Sequence, residues 1–146
     1  MCVPNTWERG SGTVLVVEDN PNDTLLLHIA AQEVCPDVAF HFVANGYQAL
    51  AYLRGEGEFA DRQTHPFPNL VLLDLRLPGM DGFQVLQAIR ALAECEHLKV
   101  LAWSDGLDPG IGARAQAAGV EHFVSKPFSF DQLLEEVSRV CALARG

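Results

Sequence analysis

The sequence is poor in positive charge. Lysine and arginine together number 10 against 19 aspartates and glutamates, which leaves a net charge of −9 at pH 7 with histidine neutral. A surface this acidic repels phosphate backbones and anionic lipid headgroups. We therefore expect neither nucleic acid nor a membrane surface among the partners of this chain.

Long apolar runs and paired cysteines are also absent. No uncharged apolar run reaches the ~18 residues that a membrane-spanning helix needs, and no basic, apolar leader opens the sequence. The four cysteines, at positions 2, 35, 95 and 141, form no CxxC pair, which excludes a zinc knuckle and a thioredoxin-type redox site. We expect four reduced thiols in a cytoplasmic protein.

The chain does contain enough apolar residues for one compact domain, since they make up 49% of its 146 residues. Residues 1–12 lack periodicity and are predicted to form a flexible arm, and residues 13–146 are predicted to form the domain. Several short runs are continuously apolar, which is typical of strands buried on both faces of a parallel sheet. The five predicted strands are Thr13–Val17, Val38–Val43, Asn69–Leu73, Lys99–Trp103 and Glu121–Val124.

Helix-start signals lie between these runs. Each combines a capping side chain with a residue typical of a first helical turn. The predicted starts are Asn20 with Pro21 and the first-turn acid Asp23, Asn45 with Gln48, Asp81 with Gly82, Asp108 with Pro109, and Ser129 with Gln132. The helix that begins at Asp108 is predicted to end at Gly119. Strands that alternate with helices predict an α/β fold, a parallel sheet covered by helices on both faces.

Charged residues and one serine lie at the carboxyl ends of the predicted strands. Glu18 and Asp19 follow the first, Asp74 the third, Ser104 the fourth and Lys126 the fifth. Because the carboxyl ends of parallel strands meet at one edge, these side chains should converge there. Carboxylates about 5 Å apart repel by roughly 3 kcal/mol per pair at an effective dielectric of about 20. Hard oxygen ligands without histidine or thiolate favour Mg²⁺, or Mn²⁺, as the cation that offsets this repulsion.

The segments VLVVEDN (14–20), LVLLDLRLPGMDG (70–82), Ser104 and VSKPF (124–128) resemble the receiver domain of two-component response regulators. The resemblance covers residues 13–144. It implies a flavodoxin-like, chemotaxis-regulator-like (βα)5 three-layer sandwich, with a parallel five-stranded sheet in the order 2-1-3-4-5.

The resemblance also assigns roles to residues. Asp74 resembles the phosphoacceptor, and Glu18, Asp19, Asp74 and the backbone carbonyl of Arg76 resemble the ligands of Mg²⁺. The phosphoryl group would be bound by the hydroxyl of Ser104 and the ammonium of Lys126. Two further features are implied: a switch formed by Ser104 with Phe123, and a cis peptide bond between Lys126 and Pro127.

Two residues depart from the family pattern. Asp105 stands directly after the hydroxyl residue, where a small side chain is usual, and Arg76 lies two residues past Asp74. We expect both to modulate the rates of phosphorylation or dephosphorylation.

The segment EGEFADRQTHPFPNLVLLD (56–74), which contains a long connection before the third strand, is similar to that of single-domain regulators of phytochrome-type sensor histidine kinases. This likeness implies such a kinase as phosphoryl donor, and a homodimer through the face formed by the fourth helix, fifth strand and fifth helix. Only one helix pattern follows Pro127, so we expect no DNA-binding output module. The signal would then pass to a downstream protein or phosphotransfer partner.

Three alternatives remain open. A pseudo-receiver would keep the fold and act as an interaction module without phosphorylation. A small hydrolase is suggested by AWSDG (102–106), which is similar to a nucleophile elbow, with His122 as the downstream histidine. A flavodoxin-type electron carrier would share the sheet order, but Glu18 and Asp19 would repel a flavin phosphate.

Overall fold

Five strands and five α-helices alternate along the chain, as predicted. A computed structural model describes residues 12–105 and 110–146. The strands are Thr13–Val17 (β1), Ala39–Val43 (β2), Leu70–Asp74 (β3), Lys99–Ser104 (β4) and His122–Ser125 (β5). The helices are Pro21–Val34 (α1), Gly46–Arg54 (α2), Gly82–Ala91 (α3), Ile111–Ala117 (α4) and Phe130–Arg145 (α5). None of the described helices has both the length and the apolarity to cross a bilayer.

The strands form one parallel sheet in the order β2-β1-β3-β4-β5, which confirms the predicted topology. Val14 of β1 pairs with Phe40 of β2 on one side and with Leu70 of β3 on the other. The chain turns from one side of β1 to the other between β2 and β3. In open α/β sheets, ligands bind at the carboxyl edge beside such a reversal.

The sheet separates two apolar layers. Val14 and Val16 of β1 belong to the layer that includes α1 and α5, whereas Leu15 and Val17 belong to the layer that includes α2, α3 and α4. These four side chains are fully buried. Burial of each such aliphatic side chain contributes roughly 1.5–3 kcal/mol. The continuous apolar run of β1 is therefore a consequence of its having two covered faces, and its first polar residues come where the strand ends.

Side-chain caps fix the starts of four helices where the sequence predicts them. Asn20 accepts hydrogen bonds from the first turn of α1, and Asn45 and Ser129 each accept one from the amide three residues on. Asp81 and Gln84 form a reciprocal capping box at α3. A Cβ on Gly82 would lie 2.4 Å from the Cα of Leu75, so only glycine allows α3 to begin this close to the end of β3.

The fourth helix is shorter than predicted. The predicted cap at Asp108 and Pro109 lies outside the described residues. The helix begins at Ile111 after Gly110 and ends at Ala117, two residues before the predicted end at Gly119. Gly119 has a φ of 100°, a conformation that favours glycine and turns the chain toward β5.

The expectation that all four cysteines are reduced is wrong. Cys35, which caps the end of α1, forms a disulfide with Cys141 of α5, although 106 residues separate them in sequence. The spacing of cysteines could not indicate this pair, because the fold alone brings α1 and α5 side by side on one face of the sheet. Cys95 is free and buried, and Cys2 lies outside the described residues.

Hydrogen bonds from Arg62 attach the long connection between α2 and β3 to the last turn of α2. The guanidinium donates hydrogen bonds to the carbonyls of Tyr52 and Leu53, which end α2, and to the carbonyl of His65. Bonds to the last carbonyls of a helix satisfy acceptors that have no partner within it. The rings of Tyr52 and His65 lie 5.7 Å apart, and His41 of β2 packs against both.

Candidate functional site

The backbone brings the predicted site residues to one edge of the sheet. The parallel hydrogen-bond pattern continues just past the strand ends, from Glu18 N to Val43 O (3.0 Å) and from Lys126 N to Ser104 O (2.6 Å). The segments that carry the polar side chains are thus held as firmly as the strands themselves. The predicted convergence at the carboxyl edge is confirmed for these residues.

Three carboxylates form the centre of this edge. Oxygens of Glu18, Asp19 and Asp74 all lie within 4.8 Å of one another. Glu18 and Asp74 are buried, each with 2% of its surface exposed, whereas Asp19 is exposed. The cluster is therefore open to solvent on the side of Asp19, and the Asp74 carboxylate lies on its buried side.

The pKa of Glu18 is raised above the ordinary value of a glutamate. Burial and the neighbouring Asp74 charge raise its pKa to about 7, against the opposing hydrogen bonds from the Asn20 amide and Lys126. Crowded, buried carboxylates of this kind gain protons unless a cation compensates them. At neutral pH the cluster is therefore short of positive charge.

Lys126 supplies part of that charge. Its Nζ lies 3.0 Å from Glu18 Oε1, 3.0 Å from Asp23 Oδ2 and 3.2 Å from Asp74 Oδ2. The ammonium also stands 5.0 Å from the centre of the Trp103 ring. Burial lowers the pKa of Lys126, but the hydrogen bonds to Glu18 and Asp23 outweigh it, and the pKa is raised above its ordinary value.

Ser104 ends β4 beside this cluster. Its residue is 1% exposed, and its Oγ makes no hydrogen bond with any described residue. A buried hydroxyl without a partner costs about 1–3 kcal/mol. Such a cost is explained if the hydroxyl has a partner in another state of the protein.

Phe123 is half-buried in β5 and packs against the start of α4. A Cβ on Gly112 would lie 3.4 Å from Cδ2 of Phe123, so the ring rests directly on the backbone of that helix. Ser125 is paired with Ser104 in the sheet register, and Phe123 with Ala102. The structure thus places the predicted switch aromatic between β4 and α4.

Arg76 and Asp105 meet across the mouth of the site. The two side chains form an ion pair, with 3.7 Å between a guanidinium nitrogen and Asp105 Oδ1, and each is about half exposed. The amide of Arg76 also donates a 2.8 Å hydrogen bond to Asp74 Oδ1. The two departures from the family pattern are therefore a pair that connects the ends of β3 and β4.

The expected cis bond between Lys126 and Pro127 is wrong for this structure. No peptide bond among the described residues is cis. The trans form is the more stable one by about 0.5–1 kcal/mol for a bond before proline, so the sequence motif alone does not decide the isomer.

Sequence reasoning missed the role of Asp23. We interpreted this residue as a first-turn acid of α1, yet its carboxylate accepts a 3.0 Å hydrogen bond from Lys126, 103 residues later in the chain. The signal was its place in the first turn that follows Glu18 and Asp19. At that position a helix entering from the sheet edge points its side chains back toward the edge.

The donor set fits Mg²⁺ or Mn²⁺. Oxygens alone converge on the cluster, and among the described residues the buried Glu18 Oε1 is compensated only by Lys126 Nζ, 3.0 Å away. Hard divalent cations prefer carboxylate, carbonyl and water oxygens. Glu18, Asp19 and Asp74 could hold such an ion, and a ligand role for the Arg76 carbonyl remains a prediction.

A family model for the response regulator receiver domain matches residues 14–138. The chain belongs to this receiver family. The receiver is 31% identical over 121 residues to the transcriptional regulatory protein KdpE of Mycobacterium tuberculosis, an alignment that covers 83% of this chain and 47% of KdpE. It spans about half the length of the first curated relatives that it matches.

Solved structures of phytochrome response regulators are also similar to the receiver. The cyanobacterial phytochrome response regulator RcpA, in its phosphorylated form, matches with a TM-score of 0.79 and 29% identity over 89% of this chain and 91% of RcpA. RPA3017, a regulator in red light signalling of R. palustris, matches with a TM-score of 0.81 and 32% identity over 88% of this chain and 90% of its own. The Mn²⁺-bound form of Rcp1 matches with a TM-score of 0.75 and 26% identity over 88% of this chain and 91% of Rcp1. These matches confirm the flavodoxin-like receiver fold.

Proposed function

We propose that this receiver accepts a phosphoryl group on Asp74 from a sensor histidine kinase and signals through protein contacts. One observation carries the proposal: the buried carboxylate of Asp74, the hydroxyl of Ser104, which has no partner among the described residues, and the ammonium of Lys126 meet at one open edge. A nucleophile, a neutral donor and a cation are the groups that phosphoryl transfer to a carboxylate requires.

In the proposed reaction, an oxygen of Asp74 bonds to the phosphorus of a donor phosphohistidine while the phosphorus–nitrogen bond breaks. The imidazole leaves with the electron pair of that bond and takes up a proton. Ser104 donates a hydrogen bond to one phosphoryl oxygen, and Lys126 pairs with another. Mg²⁺ or Mn²⁺, when held by Glu18, Asp19 and Asp74, would neutralise charge on the transferring oxygens. The receiver assists its own modification in this way but acts as a signalling protein rather than as an enzyme.

The signal would begin at Ser104. The phosphoryl group of the acyl phosphate carries about −1.5 to −2 charges beside Ser104, in place of the single negative charge of the free carboxylate. If Ser104 turns toward the phosphoryl group, the space beside β4 is open to the ring of Phe123, which now rests on α4. The change would then reach the face formed by α4, β5 and α5, a two-state response to a local charge.

The kinase partner is proposed to be of the phytochrome type. Support comes from the likeness to RcpA and RPA3017 and from the long connection after α2. The next partner would be a protein that binds the phosphorylated form or takes up its phosphoryl group. The net charge of −9 supports a protein partner over nucleic acid or a membrane. The cytoplasmic location stays a prediction, and the disulfide between Cys35 and Cys141 weighs against a reducing compartment.

A homodimer through α4, β5 and α5 is the proposed assembly. β5 is the last strand of the sheet, so one side of its backbone has no neighbouring strand. A groove beside it is lined by Phe123 and Val124 of β5 and by Leu143 of α5. A second copy that covers this edge would satisfy the backbone and bury these apolar side chains.

The test is mass spectrometry after incubation with a phytochrome-type histidine kinase, ATP and Mg²⁺. We expect a mass increase of one phosphoryl group in the native protein and none in Asp74→Asn, whose amide cannot form the acyl phosphate. An exposed acid outside both the site and the long connection provides the control, and Glu94→Gln should be modified like the native protein. Modification that persists in Asp74→Asn would contradict the assignment.

The second candidate is a pseudo-receiver, favoured by the ion pair of Arg76 and Asp105 across the mouth of the site. Beryllofluoride with Mg²⁺ discriminates between the two, because it mimics a phosphoryl group without needing a kinase. A receiver would show changes in the amide NMR spectrum around Ser104 and Phe123 that Asp74→Asn abolishes. A pseudo-receiver would show no change that depends on Asp74.

A further inference from the structure

The Lys126 ammonium contacts three carboxylates, and one of them lies outside the carboxylate cluster of the site. An ammonium carries three donors, and the three carboxylates of Glu18, Asp23 and Asp74 surround Nζ at 3.0–3.2 Å. Two of these partners, Glu18 and Asp74, also belong to the cluster that could hold a divalent cation, and Asp23 does not.

This division matters because a dication and the Lys126 ammonium would both use oxygens of Glu18 and Asp74. Oxygens of Glu18 and Asp74 that turn toward a dication are no longer available in full to Lys126. A half-buried ammonium that loses such partners is destabilised, since charge in a poorly solvated place needs compensation. Among the described residues, the bond to Asp23 is the ion pair of Lys126 that cation binding leaves intact.

The position of Asp23 suits this role. The Asn20 side chain caps α1 and accepts a 3.3 Å hydrogen bond from the amide of Asp23, which fixes the backbone at this point. The Asp23 side chain is 29% exposed, compared with 1% for Glu18 and 3% for Asp74. Asp23 therefore holds Lys126 from the solvent side, while the cluster holds it from the buried side.

We propose that Asp23 is a positioning residue that retains the Lys126 ammonium at the site when Glu18 and Asp74 bind a cation. Without Asp23, Lys126 competes with the cation for the buried carboxylates. With Asp23, the ammonium keeps a partner and stays in reach of a phosphoryl oxygen on Asp74. The second part of the role rests on the proposed function, and the first part does not.

The test is a double-mutant cycle on Mg²⁺ affinity, measured by calorimetry with Asp23→Asn, Lys126→Met and the double variant. In the native background Asp23→Asn should weaken Mg²⁺ binding about tenfold, the effect of one charge-assisted hydrogen bond. In the Lys126→Met background the same change should weaken binding by less than about threefold, since only the general loss of one negative charge remains. Equal effects in the two backgrounds would overturn the proposal.

Two further variants separate positioning from charge and from folding. Asp23→Glu keeps the carboxylate and should retain Mg²⁺ affinity within about threefold of the native value, even if Asp23→Asn folds poorly. Asp131→Asn removes the first-turn acid of α5 and is the matched control, with an expected change below about twofold. A Glu variant as weak as the Asn variant would contradict a role through the ammonium.

Acetyl phosphate adds a readout of the second part. At saturating Mg²⁺, Asp23→Asn should form acyl phosphate about tenfold more slowly than the native protein. A native protein that binds Mg²⁺ but is never phosphorylated would overturn the proposed function, while the affinity cycle would still decide the inference. Native phosphorylation with an unchanged rate in Asp23→Asn would limit the role of Asp23 to cation binding and overturn the positioning of Lys126 for the phosphoryl group.

Discussion

Asp105 is the residue whose side chain departs most clearly from the pattern of the family. Its carboxylate stands at the mouth of a site that already contains three acids, and it forms an ion pair with Arg76. An anionic phosphoryl donor must approach past this additional charge. At the residue scale, we therefore expect Asp105 to limit the rate of the proposed phosphorylation.

We expect Asp105→Ala to raise the rate of phosphorylation by acetyl phosphate about two- to fivefold. The interaction of a half-exposed charge with a neighbouring charge is worth up to about 1 kcal/mol, and a change of that size in the activation free energy alters a rate about fivefold. Stopped-flow fluorescence or phosphate-affinity gels would measure the rate, with Glu94→Ala as a control at an exposed acid away from the site. A rate that is unchanged or lower in Asp105→Ala would show that the ion pair does not impede entry.

His41 predicts a dependence of stability on pH. Burial and the neighbouring His65 lower the pKa of His41. The folded state therefore binds fewer protons at this residue than the unfolded chain does, and its contribution to stability is present above the ordinary pKa of histidine. That contribution is lost as the pH falls through the ordinary pKa and then the lowered one.

Denaturation with urea between about pH 5 and pH 8 would measure this effect as a difference between variants. The free energy of unfolding should fall less steeply toward acid in His41→Gln than in the native protein. His97→Gln, at an exposed histidine, should keep the native slope. The comparison between variants is needed because Glu18, whose pKa is raised to about 7, has the opposite pH dependence. Its ionisation lowers the free energy of unfolding as the pH rises from its ordinary pKa toward 7.

At the scale of elements, α1 and α5 are joined covalently as well as by packing. The disulfide between Cys35 and Cys141 closes a loop that runs from the end of α1 to the last helix. A cross-link between residues so far apart in sequence restricts the unfolded chain strongly. The packing of α1 on α5 also fixes the base of the helix from which Asp23 reaches Lys126.

Reduction of this disulfide should lower the free energy of unfolding by about 2–4 kcal/mol. Urea denaturation with and without dithiothreitol measures the change, and the double variant Cys35→Ala/Cys141→Ala should not respond to the reductant. Alkylation of the denatured, unreduced protein should label Cys2 and Cys95 only. Four labelled thiols would show that the bond does not form.

The elements themselves were largely predictable. Each predicted strand lies within one or two residues of the observed one, because burial on both faces demands continuous apolar runs and leaves a clear pattern in β1 and β3. Caps at Asn20, Asn45 and Asp81 were equally clear, since their side chains act within one turn. The end of α4 was predicted two residues too late, because Gly119 was the only stop signal and the small residues before it carry none.

The site was predictable only in part. Its acids and lysine could be identified from strand ends, but the bond between Asp23 and Lys126 and the pairing of Cys35 with Cys141 could not. Both join residues more than 100 positions apart in sequence, and each depends on how a helix packs against the sheet. The first turn after Glu18 and Asp19 places Asp23 near the edge, but it does not identify Lys126 as its partner. Contacts of this kind appear only after the whole fold is known.

At the scale of the whole molecule, the open question is association. We expect sedimentation velocity to show dimers of the native protein, and Leu143→Glu to dissociate them by placing a charge in the groove beside β5. Leu25→Glu changes a more exposed leucine on α1, away from that groove, and should leave the dimer intact. Native protein that remains monomeric with beryllofluoride would contradict the proposed assembly.

The disulfide also bears on how the molecule matures. Cys141 emerges from the ribosome only after all five strands have been synthesised, so its bond to Cys35 cannot form on a partial nascent chain. A faster-migrating band on a non-reducing gel would then mark translation products that have passed this step. The oxidised form therefore identifies chains in which all five strands and the cysteine of α5 have been synthesised.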